Sequence, residues 1–178
     1  MNKGDAVLMY FLDFFILVII YFMFFYRKWS KGSKNMLLRN TTMYVYIMMV
    51  LFVTLMPFPI PFINGTNNLF IESINLIPFR DLRLNYGGAI REIILNIIMM
   101  IPFGFLYPII KKKDVLRVTI STFLFSFAIE ILQLMSAWWG GLSSRSFDVT
   151  DLITNTFGGL IGYIIFIVLR PLIQRIIK

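Results

Sequence analysis

The chain has no cysteine and no histidine among its 178 residues. Disulfides, thiolate nucleophiles, imidazole bases and the common zinc and haem ligand sets are therefore excluded. Any chemistry must rest on carboxylates, hydroxyls, amides, Arg, Lys or a hard cation held by oxygen. Charge is scarce as well: 15% of residues are charged and only 9 are acidic. Apolar residues take their place. They make up 58% of the chain and the mean hydropathy is +0.79, more apolar surface than a soluble domain can bury. The composition is that of an integral membrane protein, read as one membrane domain over residues 1–178.

The net charge of +8 would suggest nucleic acid in a soluble protein. Here the basic residues gather beside long apolar runs, as they do in loops on the cytoplasmic side of membrane proteins, so no nucleic-acid partner is expected. A helix needs about 20 mostly apolar residues to cross the hydrocarbon layer. Runs at Ala6–Tyr26, Thr41–Phe62, Glu92–Ile110, Arg117–Trp138 and Asp148–Leu169 meet that length. The expected fold is an all-α polytopic bundle of about five transmembrane helices. Lys/Arg cluster in the first and third links and in the tail, which predicts the N-terminus outside and the C-terminus in the cytoplasm.

The first run is longer than a signal-peptide core and its basic flank follows it, so it is read as a retained helix. The second ends in "MPFPIPF", where Pro57, Pro59 and Pro61 favour an extended exit. The next stretch, "NLFIESINLIPFRDL", is too short and too polar to span, and suits an interfacial or re-entrant outer segment. Asn64-Gly65-Thr66 matches a glycosylation sequon but reads better as a turn.

Polar residues in the spans fall on stripes. At about 100° per residue, Asp148, Asp151 and Asn155 of the fifth span share roughly 60° of arc, with Gly158 and Gly162 on the same side. Thr119, Thr122, Ser126, Glu130, Gln133 and Ala137 of the fourth span share roughly 80°. Glu92 and Asn96 stand one turn apart in the third. The glycines and hydroxyls are expected to serve helix packing. Glu130 differs: a carboxylate inside a bilayer costs about 2.5–3.5 kcal/mol and points to function with a named partner, here Arg145 or Arg91. Asp13, alone in the first span, is not assigned to the site.

The segments "NLIPF" (Asn75–Phe79), "NIIMMIPFGFLYPII" (Asn96–Ile110), "AIEILQ" (Ala128–Gln133) and "RSFDVTDLITNTFGGLIGY" (Arg145–Tyr163) together resemble the VanZ-like family. These are small bacterial membrane proteins whose name-giving member is associated with low-level teicoplanin resistance. The resemblance covers about residues 40–169 with the motifs in matching order. It implies a place in the bacterial cell membrane and maps family polar positions onto Asn75, Asn96, Glu130, Gln133, Arg145, Asp148, Asp151 and Asn155. Thr150 departs from the family pattern. It is set off the stripe by helical geometry and is expected to matter little.

Three readings compete. The first is a binder, in which a polar outer-leaflet pocket takes a membrane lipid or a lipid-bearing glycopeptide. It needs no metal and no cofactor, and leaves the oligomeric state open. The second is an intramembrane enzyme with Glu130 as general acid or base and Asp148 and Asp151 holding Mg²⁺ or Ca²⁺. The third, a transporter, asks much of about five helices without repeats. Whether the chain is an enzyme stays open at this point.

Overall fold

The computed structural model describes residues 3–58, 66–67, 69–139 and 146–177. The expectations for Pro59, Pro61, the sequon asparagine and Arg145 lie outside the described residues. Nearly everything described is helix, and five helices are long and apolar enough to cross a membrane. The chain is a multi-pass membrane protein.

Helix α1 (Lys3–Ile20) widens into a π-helical turn at Tyr21–Tyr26 and continues to Trp29. Its flanks expose Phe11, Phe15, Phe22 and Phe24, as expected of a helix facing lipid. It meets α2 (Lys34–Thr54) through an aromatic cluster of Tyr21, Phe25, Trp29 and Tyr44. Two hydroxyls fix the register: Tyr21 and Thr41 pair at 2.7 Å, and Tyr44 donates to the Leu17 carbonyl at 2.7 Å.

The second span is shifted from its expected bounds of Thr41–Phe62. It begins earlier because the Ser33 hydroxyl caps it, accepting from Met36 N at 3.2 Å. It stops at Thr54 because Leu55 leaves the helical region and Pro57 has no N–H to continue the ladder. The remaining long helices are α4 (Ala89–Lys111), α5 (Val115–Trp139) and α6 (Val149–Ile177). Helix α6 runs past the expected Leu169, since Pro171 removes one ladder bond without ending the helix.

The core forms where α2, α4 and α5 meet. Val50, Met100, Phe103 and Ile129 are buried together, and Phe103 stacks on Tyr107 and Phe125 with ring centroids 5.3 and 5.2 Å apart. Helices α4 and α6 make the closest contact. Lipid tails are as apolar as leucine, so this association depends on close packing rather than on expulsion of water. Small residues permit it: a Cβ on Gly104 would strike the Gly159 backbone, and one on Gly158 or Gly162 would strike the carbonyls of Ile97 or Ile101. The packing role expected for Gly158 and Gly162 is thus met on α4, with Gly104 as the reciprocal partner.

Among the described residues between α2 and α4, none forms a helix long enough to span. A single 3₁₀ turn (Phe70–Ser73) leads into strand β1 (Ile74–Asn75) and the one-turn helix α3 (Arg80–Arg83). Strand β1 pairs in parallel with β2 (Phe147–Asp148), placing Asn75 opposite Asp148. This non-spanning segment is therefore tied directly to the start of α6.

Candidate functional site

The polar stripes of three helices meet beneath that β1 segment. Asn96 on α4 donates Nδ2 to Asp151 Oδ1 on α6 at 2.7 Å. One turn deeper, Asn155 Nδ2 donates to Ser126 Oγ on α5 at 2.9 Å. Glu130, only 2% exposed, lies one turn above Ser126 and accepts from the backbone N–H of Asp148 at 2.8 Å. Each bond links two elements, which offsets the cost of placing amide and carboxylate groups among apolar helices.

Asp148 is the junction. Its Oδ1 accepts from Thr150 N at 2.6 Å, capping the first turn of α6, and its Oδ2 accepts from Asn75 Nδ2 at 2.9 Å. Asn75 in turn accepts from Ile77 N at 3.1 Å, an Asx turn that bends "NLIPF" back on itself. The bend ends at Phe79, whose φ of 55° lies in the left-handed region that side chains rarely adopt. The Phe79 N–H donates to Thr150 Oγ1 at 3.0 Å. Thr150 is therefore part of the cluster and is 8% exposed, contrary to the expectation that it matters little. It joins because its hydroxyl meets the Phe79 N–H of the β1 segment, a partner that projection along α6 does not reveal.

Not every expected residue joins. Gln133 donates Nε2 to the Thr54 carbonyl at 3.1 Å, satisfying the end of α2 instead. Arg91 makes no ion pair among the described residues. It lines a neighbouring groove of about 630 Å³ with Leu82, Tyr86, Ile90, Ile94 and Leu95. Asp13 likewise serves backbone, accepting from Phe58 N at 2.8 Å where Pro57 has interrupted the helix.

Asp148 and Asp151 border a small cavity of about 20 Å³, and two further carboxylates, Asp81 and Glu92, complete its wall. Phe79, Leu82, Ala89 and Ile93 supply the apolar part. Asp81 had no signal in the sequence, because α3 is too short to show periodicity. Glu92 was visible one turn from Asn96. The ion pair found among the described residues, Arg117 with Asp114, stands at the opposite end of the bundle, so no described cation pairs with these four acids. Among the described residues no three such groups converge closely enough to hold a metal ion. A cavity of this volume admits about one water-sized group.

A family model described as VanZ/LLP1 matches residues 42–170. The chain is 36% identical over 92 residues to Protein VanZ of Enterococcus faecium, a match covering 51% of this chain and 50% of that protein. The chain thus spans about half the length of that curated relative. No solved structure matches it.

Proposed function

The chain belongs to the VanZ/LLP1 family, and from that premise we propose that it binds an amphiphile at the outer leaflet through the carboxylate-lined cavity. The observation that carries this reading is the set of Asp81, Glu92, Asp148 and Asp151 around one water-sized space with no described cation paired to them. Uncompensated acids, with Asp81, Asp148 and Asp151 half-buried and Glu92 exposed, favour a cationic guest. The apolar groove beside the cavity shares Leu82 with it, so an ammonium head and a hydrocarbon tail have adjoining places. An acylated glycopeptide of the teicoplanin type meets both requirements. Its capture at the membrane surface would keep it from its cell-wall target and give low-level resistance.

The orientation that puts this end outside rests on the Lys/Arg excess at the other end. Expression in a susceptible bacterium tests the reading. Protection is expected against teicoplanin but not against vancomycin, which lacks the acyl chain. Asp151→Asn and Glu92→Gln are each expected to abolish it at unchanged membrane abundance. Equal protection against both drugs, or full protection by both variants, refutes the proposal.

A further inference from the structure

The opposite end of the bundle holds a second and larger cavity, about 820 Å³, between α2, the α4–α5 link and α6. This volume is in the range of lipid and small-ligand sites. Four cations border it: Arg39 from α2, Lys112 and Lys113 from the link, and Arg170 from α6. Helix α4 ends there because Lys112 takes φ 50° and ψ 48°, its N–H returning to the Pro108 carbonyl at 2.9 Å. That left-handed cap turns the link across the mouth of the cavity.

The one acid on the wall is Asp114, which is already engaged. It caps α5 by accepting from Arg117 N at 3.1 Å and pairs with the Arg117 side chain at 3.9 Å. None of the four lining cations forms an ion pair among the described residues. A general Lys/Arg excess on one membrane side explains basic residues at this end. It does not explain why these four surround one cavity while Lys28, Lys31 and Arg175 stand outside it.

The wall also changes character with depth. Arg170, Ile173, Gln174 and the link form the rim, whereas Tyr163, Phe166 and Ile167 lie up to two turns, or about 10 Å, further in along α6 than Arg170. Ile167 is 44% exposed on that flank, open to hydrocarbon. A charged rim above an apolar flank matches a molecule with an anionic head and a hydrocarbon tail, and a free anion would leave the flank without a role.

We infer that this cavity binds the phosphate headgroup of an anionic membrane phospholipid, with the acyl chains against α6. The site is independent of the outer carboxylate cavity. Basic groups near a membrane surface contribute about fivefold each to the binding of anionic lipid.

The test uses the full-length protein in detergent, with lipid adducts counted by native mass spectrometry. Dioleoylphosphatidylglycerol is expected to bind at least about tenfold more tightly than dioleoylphosphatidylcholine. The triple variant Lys112→Gln, Lys113→Gln, Arg170→Gln is expected to lose about 100-fold. The triple variant Lys28→Gln, Lys31→Gln, Arg175→Gln removes the same charge outside the cavity and is expected to keep the parent affinity. Inorganic phosphate is expected not to displace the lipid. In the unaltered protein, a photoactivatable phosphatidylglycerol is expected to label the segment around Phe166, a readout that does not depend on any variant folding.

Equal losses in the two triples mean diffuse surface charge and overturn the proposal. Displacement by inorganic phosphate reduces the cavity to a free-anion site and does the same. Equal binding of the two lipids, or labelling away from α6, also overturns it.

Discussion

Asp148 joins the β1 segment to the bundle, and its bonding pattern makes a reciprocal exchange with Asn75 the sharpest test of the site's architecture. In Asp148→Asn one side-chain oxygen becomes an NH₂. Its two partners, Thr150 N at 2.6 Å and Asn75 Nδ2 at 2.9 Å, are both donors, so in either orientation a donor faces a donor. Asn75 cannot relieve this by rotating its amide, because its Oδ1 already accepts from Ile77 N at 3.1 Å. The loss is one charge-assisted bond plus an unsatisfied, part-buried donor, about 2–3 kcal/mol. Asn75→Asp alone sets a carboxylate against a carboxylate at that spacing and costs about 2 kcal/mol or more. The double variant restores the pair with donor and acceptor exchanged: Asn at 148 donates to Asp at 75, which still accepts from Ile77 N.

Because the exchange restores both single losses, a coupling energy of about 4–5 kcal/mol is expected in the double-mutant cycle. Denaturant unfolding in detergent micelles measures it. A local readout is also at hand, since the chain has no cysteine of its own. Ala89 is 5% exposed beneath the β1 and α3 segment. In an Ala89→Cys background, maleimide labelling is expected to be slow in the parent and the double variant, and fast in each single variant. If the double variant is no more stable than the sum of the singles, the Asn75–Asp148 bond is absent and the docking scheme fails with it.

Two further outcomes follow from the same reasoning. Gly104→Ala places a methyl 2.7 Å from the Gly159 carbonyl carbon and 2.9 Å from its Cα, backbone that yields only if α4 and α6 separate. A loss of about 1–3 kcal/mol in unfolding free energy is expected, while Gly87→Ala, with nothing within 4 Å, is expected to stay within about 0.5 kcal/mol of the parent. Glu130→Gln retains an oxygen for Asp148 N and is expected to unfold like the parent. Glu130→Leu strands that N–H and is expected to cost about 1–3 kcal/mol; equal stability of the two would remove Glu130 from the scheme.

The five spans were legible because length and hydropathy decide them, and projection at 100° per residue set Asn96, Glu130, Asp151 and Asn155 on facing stripes. Projection failed where the backbone is not helical. Phe79 sits in a left-handed turn and Asp81 in a helix of one turn, so no periodicity announces them, whereas Asp148 was placed on the stripe although it sits in a strand. The sequence was also silent on which carboxylates are already engaged. Asp13 and Glu130 each accept a backbone N–H left by a break in helix, and Asp148 accepts on both oxygens. Cost in the bilayer therefore does not by itself mark a ligand contact, because closing the backbone ladder at a helix end can require a carboxylate too. Asp81 and Glu92 make no side-chain hydrogen bond among the described residues, and Asp151 commits Oδ1 alone, to Asn96. A cationic guest in the cavity would meet these three. Glu130, the most conspicuous acid in the sequence, acts one step behind them by holding the backbone of Asp148 in place.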